Sequence, residues 1–74
     1  MRVSKTIKTK SESLKGDFKR GYKQGIDYVE EGWEIPTLSQ RMIQDLKDGY
    51  FNIDHFDGYV AFVRDFTRLD TRGE

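Results

Sequence analysis

The 74-residue chain has no cysteine, one histidine, one proline and no long apolar run. Without cysteine there can be no disulfide, no thiolate metal site and no thiol nucleophile. A single histidine rules out a zinc site of the Cys/His type. A membrane-spanning helix needs roughly 18 or more consecutive apolar residues, and charges interrupt this chain well before that. The opening Met1-Arg2-Val3-Ser4-Lys5-Thr6 has no apolar segment behind its basic residues, so no secretory leader is expected and a cytoplasmic location is. No glycine precedes Lys-Ser or Lys-Thr, which removes a phosphate-binding loop of the Walker type.

A chain this short makes one domain that buries only roughly 60% of its unfolded surface, so its stability margin is thin. With no covalent staple, self-association is the expected source of further buried area.

The net charge is zero, but it is unevenly placed. Residues 1–23 carry eight basic residues against two acidic, +6; residues 24–74 carry five against eleven, −6. Residues 1–12 are basic and rich in Ser and Thr, with only Val3 and Ile7 as apolar anchors. They read as a flexible basic arm, and residues 13–74 as a single small helical domain.

The expected fold is all-α, a compact three-helix bundle behind that arm. Leu14, Phe18, Tyr22, Ile26, Val29 and Trp33 recur in steps of four and three, which predicts a helix over 13–32. Gly21, Gly25 and Gly32 lie beside that stripe, where a missing side chain permits a tight helix crossing. Pro36 closes the segment, and Thr37 with Gln40 forms a capping-box pattern that predicts a second helix with Leu38, Met42, Ile43 and Leu46 buried. Gly49 is its stop.

Residues 50–66 are ambiguous. Asp57-Gly58 between apolar runs suggests a hairpin and hence an α+β alternative. A helix capped near Asp54 groups Phe56, Tyr59, Val60, Val63 and Phe66 on one side, whereas a strand would put Arg64 on the face of Phe62 and Phe66. The helix is favoured. In it Gly58→Ala should be mildly stabilising, while in an Asp-Gly turn it should be harmful.

Catalysis finds little support. His55, between Asp54 and Asp57, fails as part of a calcium loop, since Phe56 and Val63 stand where oxygen ligands are needed. Those acids suit a helix start. No Ser or Thr has a nucleophile-elbow setting, and no cofactor, metal site or small-molecule substrate is expected.

Ten aromatics exceed what so small a core can hide, and Tyr and Trp are enriched at binding hot spots. With Phe62 and Leu69 the apolar arc of the last helix is wider than the ~100° a surface helix needs. Tyr28, Trp33, Tyr50, Phe51 and Phe62 are therefore the candidate protein-binding residues. The expected function is a small non-enzymatic interaction protein binding a protein partner, or itself, through aromatic and acidic helical surface. An accessory or inhibitor protein of phage or bacterial kind fits that description. The alternative is nucleic-acid binding through Lys5, Lys8, Lys10, Lys15, Lys19, Arg20 and Lys23, although a recognition helix opening with Asp54 and Asp57 would repel phosphates.

Overall fold

The computed structural model describes the backbone of residues 2–72 and the side chains of residues 2–68. The side chain of Leu69, and residues 73–74, all included in the expectations above, lie outside these limits. Four helices follow one another: α1 (Lys5–Glu12), α2 (Gly16–Glu31), α3 (Ile35–Lys47) and α4 (Ile53–Arg72). Among the described residues there is no strand, so the hairpin alternative is overturned and Asp57-Gly58 lies inside α4. The helix count is four rather than three, because the segment read as a flexible arm contains α1.

Ser4 caps α1, its Oγ accepting from the Ile7 N–H at 3.3 Å. Val3, Ile7 and Ser11, spaced by four, form a buried stripe. An eight-residue helix is not stable alone, so α1 depends on docking. The Glu30 carboxylate accepts from the Val3 N–H at 3.1 Å and pairs with Lys8 at 3.0 Å. Lys10 reaches Asp65 at 2.6 Å, and the same carboxylate oxygen accepts from the Tyr22 hydroxyl at 2.7 Å. The basic segment thus meets the acidic part of its own chain.

The stripe of α2 is as the spacing predicts, with Tyr22, Ile26 and Val29 buried. Gly32 does not pack at a crossing. It ends the helix at φ 112°, where the Trp33 N–H donates to the Tyr28 carbonyl at 3.0 Å. The capping box at Thr37 is not used: the cap position falls three residues earlier, at Glu34, with Pro36 in the first turn of α3. Proline is tolerated there because that N–H has no intrahelical acceptor. Asn52, not Asp54, caps α4, its Oδ1 accepting from the His55 N–H at 2.9 Å. Asp54 sits in the first turn, where a carboxylate still favours the helix dipole.

The main contact in the molecule is α2 against α4. A Cβ at Gly21 would lie 1.7 Å from the His55 carbonyl oxygen, and one at Gly58 would lie 1.9 Å from that of Phe18. The two glycines therefore bring the helix backbones together reciprocally. At Gly25 the Phe62 ring fills the space a side chain would need. Around this crossing the core is Val3, Ile7, Tyr22, Ile26, Val29, Leu38, Met42, Tyr59 and Phe62. Tyr22 meets Phe62 edge-on at 5.8 Å, and the Tyr59 hydroxyl bonds Ser39 at 2.7 Å, tying α3 to α4.

This crossing reverses the expectation for glycine in a helix. Alanine normally gains about 1 kcal/mol there, and on that basis alone Gly58→Ala would be mildly stabilising. Here Gly21→Ala and Gly58→Ala should each destabilise by roughly 3 kcal/mol or more, since backbone atoms must separate. Urea titration of the two variants checks this, and a gain in stability at either site would contradict the crossing.

Candidate functional site

The turn between α3 and α4 and the facing side of α2 enclose an open polar groove of about 430 Å³. Asp17, Arg20 and Gln24 of α2 form one wall, and Tyr50, Phe51, Asn52 and His55 the other. Most of their polar groups bond one another. Asn52 donates to Asp17 at 2.7 Å, Arg20 pairs with Asp17 at 3.6 Å, and the His55 Nε2–H donates to the Gln24 amide oxygen. The His55 ring also stacks on Phe51 at 4.3 Å. Burial lowers the His55 pKa from its ordinary value; Asp17 opposes the shift and Arg20 adds to it. These bonds hold the start of α4 against α2. Among the described residues no group of three His, Asp or Glu side chains is placed to hold a metal ion.

The five aromatic candidates fall in different places. Tyr50 is 75% exposed at the mouth of the groove. Phe51, half-buried, lies in the same groove against His55. Tyr28 and Trp33 are half-buried and meet edge-on at 5.3 Å, with Arg41 over the indole at 5.9 Å; they close the α2–α3 corner. Phe62 is fully buried and offers no surface. The glycine at position 25 makes its slot, and this corrects its placement at an interface.

Three apolar residues outside the aromatic set are exposed: Ile43 (44%), Ile53 (58%) and Val60 (40%). Helical spacing puts Ile43 and Val60 on the buried sides of their helices, and the structure corrects both. Each lies at the margin of an apolar arc, and periodicity alone does not say which margin a neighbouring helix covers. Ile53, Asp57, Val60 and Arg64 are spaced by four, three and four, and all are exposed. That run is one stripe along the outer side of α4.

The basic candidates are partly engaged. Lys8 and Lys10 pair with Glu30 and Asp65, and Arg20 with Asp17. Lys5, Lys15 and Lys23 are exposed and Lys19 is half-buried. Lys8, Lys19 and Lys23 border a second groove, of about 360 Å³, but Glu12, Asp27 and Glu30 line it with them. The interleaved carboxylates break up a continuous track for phosphates.

No protein-family model, curated protein or solved structure matches the chain. Among the described residues no helix is long and apolar enough to cross a membrane.

His55 gives the groove a pH signature. Its folded pKa lies below the unfolded value of about 6.5, so the unfolded chain binds more protons between the two. Stability should therefore fall as pH drops from about 7 through that window. Glu30 and Asp65, with lowered pKa values, add their own losses only at more acid pH. Thermal melts of the wild type and His55→Gln between pH 7.5 and about 5 check this. The variant should show the flatter profile, and parallel profiles would contradict the assignment.

Proposed function

We propose that this chain is a non-enzymatic binding protein whose docking surface lies on α3, α4 and the turn between them, and whose partner is a protein. One observation carries the reading. Among the described residues every exposed large apolar side chain (Ile43, Tyr50, Ile53 and Val60) falls on that half of the molecule and none on α1 or α2. Single exposed apolar residues need no explanation, but their confinement to one half does. Charged side chains of both signs surround them: Asp48, Asp54 and Asp57 near the turn, and Arg41, Lys47, Arg64 and Arg68 along α3 and α4, are all exposed. An aromatic and aliphatic surface, acidic near the turn and bordered by charges of both signs, fits a protein face of apolar residues with complementary charges. In the first groove Asp17, Arg20, Gln24, Asn52 and His55 bond one another, which favours a structural role for them over a catalytic one. A cytoplasmic accessory or inhibitor role, in which binding itself is the activity, accords with this surface.

The ion pairs of Lys8 and Lys10 weigh against the nucleic-acid alternative, because two of its seven basic residues already hold α1 to the body.

Ile53→Asp with Val60→Asp tests the reading. Both positions are exposed, so the change in stability should stay within about 0.5 kcal/mol each, as circular dichroism can verify. Chemical cross-linking should then show a protein complex that persists at high salt with the wild type and is lost with the variant. Equal cross-linking by both proteins would contradict it. So would low-salt binding of DNA or RNA abolished by Lys19→Ala with Lys23→Ala, since that result favours the nucleic-acid class.

A further inference from the structure

Along the outer stripe of α4 the charges are ordered as well as the apolar residues. Asp54 and Asp57 occupy its first part, Arg64 and Arg68 its later part, and all four are exposed. The remaining described charge, Asp65, turns inward to Lys10 and Tyr22. The helix dipole does not account for this order. Asp57 lies beyond the first turn and Arg64 two turns before the end of α4, where the dipole has little effect. Neither do intrahelical pairs: Asp57 and Arg64 are seven residues apart, and among the described residues neither makes an ion pair within 4.0 Å.

We infer that the partner is a second copy of this chain, paired antiparallel through α4 about a two-fold axis beside Val60. This rests on the reading of α3–α4 as the docking surface and names its occupant. In antiparallel helices the residue numbers of facing positions have a constant sum. With Val60 facing the Val60–Ala61 step of the other copy, Asp57 of each chain faces Arg64 of the other. By the same register Asp54 faces the Thr67–Arg68 turn, and the arginine stem there can cover Ile53. Each ion pair forms twice, as an isologous contact requires. A parallel pairing would set Asp57 against Asp57 and Arg64 against Arg64. The charge order thus selects one orientation and register. The twenty residues of α4 span about 30 Å, enough for four such turns to engage. A single helix pair is a small interface, so the dimer is a weak, micromolar one.

Reciprocal charge reversal tests this with the full chain. The wild type should dimerise in sedimentation velocity between ~1 and ~100 µM. Asp57→Arg sets two guanidinium groups together at both facing pairs, and Arg64→Asp sets two carboxylates together at both. Each variant alone should dimerise at least ~10-fold more weakly. An equimolar mixture of the two should recover association, because in the mixed dimer the new arginine at position 57 faces the new aspartate at position 64 and the native Arg64 faces the native Asp57; a mixture that stays monomeric would overturn the antiparallel pairing. The double variant, Asp57→Arg with Arg64→Asp, makes both facing pairs opposite in charge again and should dimerise as the wild type does. All positions are exposed, and circular dichroism confirms that the variants remain folded. Association unaffected by either single reversal, or a double variant that stays monomeric, would overturn the antiparallel pairing. A monomeric wild type would overturn self-association. If such a monomer still cross-links to another protein through Ile53 and Val60, the docking surface stands with a different occupant. If it cross-links to none, that reading falls as well.

Discussion

The backbone contact between Gly21 on α2 and Gly58 on α4 sets the arrangement of the other elements. With no Cβ at either position, each helix rests against a carbonyl of the other, the His55 oxygen and the Phe18 oxygen. Backbones this close leave room beside them for only a few large side chains, and Tyr22, Tyr59 and Phe62 take it. The small core follows from that closeness. So does the orientation of α4: the side holding Gly58 and Phe62 is turned inward, and the stripe of Ile53, Asp57, Val60 and Arg64 is left outside.

The second constraint is electrostatic. A short helix with few apolar residues cannot hold itself, and α1 is kept in place by Val3 and Ile7 together with ion pairs to Glu30 and Asp65. Surface ion pairs contribute little singly. Here they act beside buried apolar contacts and a Tyr22 hydroxyl bond, so α1 covers one edge of the α2–α4 pair. The uneven distribution of charge along the sequence is therefore largely resolved within the fold. What charge order remains on α4 is free to act outward.

Much of this is legible in the sequence where the signal is local and repeated. The four-and-three spacing from Phe18 to Val29 locates α2, and the segregation of Arg64 from Phe62 and Phe66 favours a helix over a hairpin at residues 50–66. Gly21 and Gly25 beside the stripe point to a close crossing, though not to its partner glycine at 58. The unread features are set by contacts distant along the chain. Nothing near Lys5–Glu12 shows that Glu30 and Asp65 wait for its lysines. Thr37 and Gln40 match a capping box, but Pro36 fits the first turn of α3 and the helix begins before them. Asn52 and Asp54 are both good caps, and only the backbone path of the turn selects Asn52. The broad arc of α4 suggests a surface place for Phe62. Gly25 provides the space that buries it, and α3 leaves Val60 and Ile43 partly open instead.

The claim on which the rest turns is that the outer stripe of α4 pairs with the same stripe of a second copy of the chain. The most direct measurement is the concentration dependence of backbone amide resonances by NMR. Raising the protein concentration should shift the amides of Ile53, Asp57, Val60 and Arg64 together, while those of α1 stay fixed. Shifts confined to Lys15–Lys23 and α1, or resonances that do not move at any concentration, would contradict it.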